Sequence, residues 1–477
     1  AVRPAQDPGA RSRPRGARSA MTRRLAILGG SFSPPTAYHR RAAEALAAEF
    51  DEVVVVPCGP RPDKPETEDV PPVHRAAMVD MCFRGLPRVR VELFDLEAST
   101  FTRTHLLDER FRPEGEVWHA LEAEALAGAG RGESRVQRRW EQGARLLREA
   151  RFVVLHPPGA PPAEADRPPH HRLLPVARPA TAAELRERIV SRQPLAGLVV
   201  EEVGRYLERH GLYRSTHPPR TTRLQLDELR PRVVFDEHNP AARDLAAALP
   251  PDAGEAANLV VVVGGDGTML RAIRAEWRRR LPFYGLNAGH LGFLLNERPP
   301  AQGSALGLTI EHLPLLHVLV ERADGSQDQA LAFNDAWVER ASGQTAWLEI
   351  RVGGRVRVER LVADGALIAS AAGSTSYARA MGAAPLPMNT PALLLVGSNV
   401  LRPEVFRPAI LPLEAEVELR TLDPDKRPLK GFIDGVPQGE VRALRARISR
   451  IAGVELAFAP EHDAAEKLAR VQFPLKA

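Results

Sequence analysis

Two glycine-rich turns hold the residues of this sequence best suited to chemistry. Residues 258–270 read NLVVVVGGDGTML, an apolar strand feeding a tight turn that opens a helix. Successive glycines let a backbone approach a phosphate closely, and the free amides at a helix start attract its negative charge. In that turn the Asp266 carboxylate is suited to accept a proton from an attacking hydroxyl or to help position a metal. Residues 25–39, LAILGGSFSPPTAYH, repeat the plan. Gly29 and Gly30 allow close approach, and His39, three residues after Thr36, supplies a group that can stabilise charge on a reacting phosphate. Each turn has a plainer reading too, since glycine-rich turns after strands are common and a lone helical histidine is usually structural.

Strands and helices must deliver these turns. Short apolar runs over 25–28, 53–56, 89–93, 116–121 and 152–155 alternate with helical stretches over 37–50, 73–83 and 133–150. Such alternation predicts a doubly wound parallel sheet. Helices over 182–190 and 198–210 close this half, the last stopping at His210-Gly211. Residues 215–230 are rich in Pro and Thr and are expected to be a linker. Beyond them, strands over 233–235 and 259–263 are each followed by a helix. From about His312 short alternating segments interrupted by Gly and Pro predict a mostly antiparallel β region. The expected division is a leader over 1–20, a first domain over 21–214, the linker, and a second domain over 231–477.

At 477 residues the chain exceeds one ordinary domain, and 44% hydrophobic residues suffice for more than one core. A net charge of +5 hints at an anionic partner, but only five of the 65 basic residues are lysine and no basic stripe is interleaved with aromatics. Neither nucleic acid nor a membrane is therefore an expected partner. Cys58 and Cys82 lack metal-ligand spacing and are expected to be reduced thiols in a soluble cytoplasmic protein. The first twenty residues, basic and Pro-rich, fit a disordered leader better than a transit peptide.

Taken alone, the GGDGT run at 264–268 also fits lipid kinases and resembles phosphofructokinase-type sites. Its companions are NAGHLGFL at 287–294, FNDAWVER at 333–340, DGALIASAAGSTSY at 364–377 and GFIDGVPQG at 431–439. In this order they resemble the NAD kinase family over some 240 residues. The resemblance implies that Asp266 activates the 2′-hydroxyl on the adenosine ribose of NAD and that Gly265, Gly267 and Arg271 lie beside the nucleotide. It further implies that Asn334 and Asp335 hold the NAD and that Asp364, Thr375, Ser376, Tyr377 and Ala378 complete the pocket. Asp434 and Gln438 are weaker correspondences, and Asn287 could be a simple turn former. Where the family commonly has Thr-Pro-Thr, this chain has Ser370-Ala371-Ala372, which removes one hydroxyl near the phosphate path.

The N-terminal turn resembles the (H/T)xxH motif of nucleotidyltransferases, in particular nicotinate or nicotinamide mononucleotide adenylyltransferases. The likeness runs through Lys64, Arg75, the Trp140 region and GLVVEEVGRYLERHGLY at 197–213. It implies that Gly29, Gly30, Ser31, Phe32, Thr36, His39, Lys64, Arg75 and Arg186 hold ATP and the mononucleotide. Three departures stand out. Ser33 replaces the usual Asp or Asn, Glu122-Ala123-Glu124 replaces Gly-Ala-Asp, and Thr181-Ala182-Ala183 replaces a run of hydroxyls before Arg186. Thr181 with Glu184 also fits a helix capping box.

Together these resemblances imply a bifunctional α/β enzyme, a doubly wound nucleotidyltransferase domain ahead of a kinase with an α/β part and a β-rich part. ATP and a divalent metal, Mg²⁺ held through phosphate oxygens and by no side-chain cluster, are the expected cofactors. A homo-oligomer is expected by resemblance alone. The alternatives are a kinase carrying a non-catalytic nucleotidyltransferase-like module, and a lipid kinase sharing the GGDGT turn.

Overall fold

The computed structural model describes residues 23–61, 63–215, 218–289, 292–300 and 306–473. The expected leader and His290 and Leu291 of the NAGHLGFL segment lie outside them.

The first half is built on six parallel strands: β1 (Arg24–Gly30), β2 (Glu52–Pro57), β3 (Val89–Val91), β4 (Glu116–Glu122), β5 (Arg151–His156) and β6 (His171–Pro175), in the order β3-β2-β1-β4-β5-β6. Helices cover both faces, so the central strands are apolar throughout and Leu25, Val53–Val56 and Phe152–Val154 are buried. Reversal of strand order beside β1 opens a crevice at the carboxyl ends of β1 and β4, where such sheets bind ligands. There β1 ends in the first glycine-rich turn, and α1 (Ala37–Glu49) follows it. The next crossover helix is α2 (Pro72–Phe83).

The expected helix over 133–150 is two, Arg135–Arg139 and Gly143–Glu149. Between them Gln142 adopts φ +56°. Gly143 folds back so closely that a Cβ there would stand 2.0 Å from the Val136 carbonyl oxygen. The later helices Ala182–Val190 and Glu201–Arg209 place Leu185, Ile189, Val203, Tyr206 and Leu207 in the core of the first sheet.

The expected linker contains a strand, β7 (Thr221–Leu226), whose alternation turns Thr222 and Leu226 inward. It joins a second sheet of 16 strands. There β8 (Pro231–Phe235), β9 (Leu259–Gly264) and β10 (Phe283–Asn287) run parallel, and the short β11 (Leu295–Asn296) pairs with β10. The β-rich part is organised by two long strands, β12 (Leu306–Arg322) and Val436–Phe458, paired antiparallel with irregularities after Pro314 and Glu321. The Asp335–Arg340 strand lies between Gly365–Ser370 and Leu429–Ile433, antiparallel to both. No helix among the described residues is long and apolar enough to cross a membrane. Cys58 and Cys82 are buried free thiols.

Candidate active sites

The second glycine-rich turn ends β9 and opens the helix Asp266–Glu276, with Gly265 as its N-cap residue. Gly264 must be glycine, since a Cβ would stand 2.7 Å from Thr268 Oγ1. At Gly265 and Gly267 a Cβ would meet nothing within 4 Å, and both are exposed, which leaves room for a phosphate against the free amides. The Asp266 carboxylate accepts hydrogen bonds from the amides of Phe293 and Leu294, both at 3.1 Å, and so anchors the loop after β10. Burial raises its pKa against the pull of those two amides and of Lys467. A half-buried carboxylate of raised pKa at a phosphate-sized opening is fit to take a proton.

Phe333, just ahead of Asn334 and Asp335, packs in one core with Met269 of the helix that Asp266 opens and with Leu294 and Leu295. Asp434 holds the Asn334-Asp335 turn: its carboxylate accepts from the amides of Phe333, Asn334 and Asp335 at 2.8, 2.8 and 3.2 Å. Asp434 and Gly435, with φ +45° and +78°, form the two-residue hairpin turn that "DG" between strands signals. Arg274, on the helix that Asp266 opens, reaches the Asp434 backbone oxygen at 3.5 Å. Asp335 is 2% exposed and its Oδ2 has no partner. Burial first, and then the charge of Asp434, push its carboxyl up to about 7. An orphaned buried acceptor of this kind fits a ligand hydroxyl.

The Gly-Ser-Thr loop lies against that turn. A Cβ on Gly373 would stand 2.2 Å from the Asn334 carbonyl oxygen. Ser370 ties the two by donating to the Phe333 oxygen at 2.7 Å and accepting from the Gly373 amide at 3.2 Å. Thr375 is half-buried and Ser376 exposed, while Ala378 is wholly buried. Tyr377 packs on Trp337, with ring centroids 5.0 Å apart, and burial followed by Glu339 and Asp335 raises its pKa. Arg271 is exposed on the helix opened by Asp266 and donates to Thr268 Oγ1 at 3.1 Å. Gln438 bonds its own hairpin, donating to the Val436 oxygen at 3.0 Å. Asn287 accepts from the Gly289 amide at 3.1 Å and donates to Glu297 at 3.2 Å.

Asp364 does not join this cluster within the chain. Asp335 pairs with Ala369 and Glu339 with Gly365, so Asp364 lies beyond the other end of the strand, ~17 Å along it. There it binds Arg340 at 2.6 Å and Asn399 at 2.8 Å.

In the first half, Thr36 caps α1 and its amide donates to His39 Nδ1 at 3.0 Å, with Thr36 Oγ1 2.9 Å from the same nitrogen. Nδ1 is thereby an acceptor, which leaves the proton on Nε2 as a donor. Desolvation, then Arg178 and Lys64, lower the His39 pKa to about 4, so the ring is neutral near pH 7. A Cβ at Gly29 would meet nothing within 4 Å, and one at Gly30 would lie 3.2 Å from the Phe32 ring. Phe32, buried at φ +43°, packs against His39 with centroids 4.9 Å apart. Arg186 donates to the Ser33 carbonyl oxygen at 2.7 Å, and Tyr213 Oη lies 2.9 Å from Ser33 Oγ. Thr181 and Glu184 form the capping box.

Arg75, expected beside the nucleotide, is bound within the chain. It is 1% exposed, and its guanidinium donates to the carbonyl oxygens of Ser31 (2.5 Å), Cys58 (2.7 Å) and Thr67 (3.1 Å). It staples the loops that carry Ser31, Cys58 and Thr67, while its Nε has no partner among the described residues.

Two cations were not anticipated. Lys467, buried near Asp266, donates to the carbonyl oxygens of Gly292 at 2.9 Å and Leu295 at 2.6 Å. Its rarity was the available signal, since the chain has only five lysines. Arg178 lies over the Tyr38 ring, 5.3 Å from its centroid, and pairs with Glu122 at 3.3 Å and Glu124 at 3.6 Å. Among the described residues no group of three His, Cys, Asp or Glu comes together to hold a metal ion. A cavity of about 330 Å³, lined by Asp108, Glu116, Arg145 and Arg151, opens where β4 and β5 begin, the end of the sheet opposite the glycine-rich turn.

Comparison with known families matches residues 27–158 to a cytidylyltransferase-like domain and residues 179–313 to the N-terminal domain of ATP-NAD kinases. The second match begins ahead of the two helices that pack into the first core. An NAD kinase from Rhizorhabdus wittichii is 35% identical over 226 residues, 46% of this chain and 87% of that protein. One from Caulobacter vibrioides is 37% identical over 223 residues, covering 46% and 84%. The crystal structure of an NAD kinase from Archaeoglobus fulgidus in complex with ATP aligns over 51% of this chain and 99% of that one, at 20% identity and a TM-score of 0.37. This chain belongs to the NAD kinase family, with a cytidylyltransferase-like domain fused ahead of its kinase region.

Proposed function

We propose that the chain phosphorylates the 2′-hydroxyl on the adenosine ribose of NAD, using ATP, to give NADP. The observation that carries this is the pairing of an open Gly265-Asp266-Gly267 helix start with a buried Asn334-Asp335 turn whose Asp335 Oδ2 lacks a partner. Asp266 takes the proton as the ribose oxygen attacks the γ-phosphorus and ADP leaves. The amides at Gly265 and Gly267 and the Arg271 guanidinium steady the phosphates, while Asn334, Asp335 and the Thr375-Ser376-Tyr377 turn hold the dinucleotide. A divalent ion such as Mg²⁺, held through phosphate oxygens, would neutralise charge on them.

The N-terminal half, divided from the kinase near residue 215, transfers adenylyl from ATP to nicotinate or nicotinamide mononucleotide. The mononucleotide phosphate attacks the α-phosphorus and pyrophosphate leaves, with His39 Nε2–H, Lys64 and Arg186 stabilising the charge. A second reading, a non-catalytic module, draws support from Thr181, whose hydroxyl is spent on Glu184 at 3.0 Å and so is not offered to a phosphate.

The kinase reading is tested by following NADP formation from NAD and ATP by the full chain. Replacing Asp266 by Asn should lower kcat by about 10²- to 10⁴-fold, and an unchanged rate would remove the role given to Asp266.

A further inference from the structure

α2 touches both halves of the molecule. From His74 to Phe83 every residue of it is buried, which for a surface helix of one domain would leave an apolar face with nothing to cover it. The kinase half supplies that cover. On one side of α2, Arg75 staples the Ser31, Cys58 and Thr67 carbonyls that shape the N-terminal site. Five residues on, ~140° around the helix, the buried Asp80 carboxylate accepts from Arg278 at 2.7 Å and from Arg280 at 2.9 Å. Both arginines follow the helix that Asp266 opens, and Arg280 also donates to the Ile451 oxygen at 3.1 Å. Arg84, just past the end of α2, donates to the Arg279 oxygen at 2.7 Å.

A parallel route runs through the Phe94–Ala98 helix. Its Glu97 accepts from Ser449 Oγ at 2.6 Å and pairs with Arg447 at 2.6 Å. Its Asp95 holds Thr100 and Thr102, and Gly59 lies so close to Thr100 that a Cβ would stand 2.2 Å from the Thr100 oxygen. A carboxylate buried in an apolar helix is tolerated only when paired, and both of the cations that pair with Asp80 come from the kinase half.

We propose that the kinase half positions the nucleotide loops of the N-terminal half through α2, with Asp80 as the positioning residue and Arg278 and Arg280 as its anchors. This rests on the reading of the N-terminal half as a nucleotide-transfer site.

Hydrogen–deuterium exchange on the full chain tests it without requiring turnover. In Asp80→Asn and in Arg280→Gln, peptides covering 29–33 and 58–67 should exchange about tenfold faster, while those covering β5 hold their rate. In the same proteins the KM for ATP in dinucleotide formation should rise about fivefold with NADP formation from NAD unchanged, and Asp80→Glu should restore part of the loss. Unaltered exchange at 29–33 and 58–67, with faster exchange at 277–280, would overturn the proposal. Faster exchange throughout the first half, β5 included, in both variants would overturn it as well, since that is loss of fold and not of position. A wild-type chain that forms no dinucleotide would contradict the transferase reading alone, because the exchange measurement stands without it.

Discussion

Asp335 responds to pH in the range where the kinase would work, because burial and Asp434 bring its carboxyl to about 7. Between its ordinary value of 3.8 and about 7 the folded chain holds a proton here that the unfolded chain has released. This group therefore makes folding stability fall as pH rises through that window. Affinity for NAD runs the other way, since an ionised oxygen is the stronger acceptor for a ribose hydroxyl. The KM for NAD should drop by about tenfold between pH 6 and 8, with Asp335→Asn showing no such slope; initial rates across that range decide it. Much at this scale was legible from residue type and local spacing. Asp266 and His39 could be picked out in their glycine-rich turns, and Thr36 with His39 locks the imidazole, whereas Asn334 and Asp335 were reached only through the family resemblance. Arg75 was not legible, because nothing in the sequence says whether a guanidinium faces a phosphate or three backbone carbonyls. Lys467 was hidden for another reason: some 200 residues separate it from the aspartate whose pKa it lowers.

Among the elements, the hairpin bearing Asp434 and Gly435 has the clearest consequence. Its carboxylate satisfies the three backbone amides of Phe333, Asn334 and Asp335. Asp434→Ala leaves those donors unpaired, so unfolding in urea should show a loss of about 3 kcal/mol. The KM for NAD should rise more than that for ATP, because the Gly265 turn is fixed separately through β9 and the Phe293 and Leu294 amides. A "DG" pair between alternating segments announces such a hairpin, but what its aspartate would bind depends on a strand a hundred residues away. Elements whose periodicity is strong, β1, α1, β2 and β9, follow the sequence closely. The others depend on partners: β7 is a strand because β12 lies beside it, and Asp364 lies far from Asp335 because the antiparallel pairing runs that way.

Across the whole molecule, the contact between halves brings together His74 and Tyr206 (2.8 Å between Nδ1 and Oη), His210 and Glu455 (2.7 Å), Arg209, Arg280 and His312. The His74 and His312 rings stack with centroids 5.1 Å apart. Desolvation lowers His74 to about 2 and His312 to about 4, with neighbouring histidines adding to the effect on both. Burial raises Glu455, but Arg209 and His210 overcome this and hold it at about 2. The unfolded chain binds protons at these histidines below about 6.5 and the folded chain does not, so stability is lost as pH falls through 6.5 and continues to fall toward 4. Glu455 keeps its charge through that window. Calorimetry should show Tm dropping from pH 7.5 to 5, and a smaller drop in His312→Leu.

The central claim is that one chain carries two successive phosphate-transfer sites, with Asp266 in one and His39 in the other. It is tested most directly by supplying the full chain with ATP and either mononucleotide and resolving the products. Wild type should convert nicotinamide mononucleotide to NADP, or nicotinate mononucleotide to its dinucleotide. Asp266→Asn should stop at the dinucleotide, and His39→Ala should make none while still converting added NAD to NADP. Wild-type yields of dinucleotide from His39→Ala, or of NADP from Asp266→Asn, would contradict it.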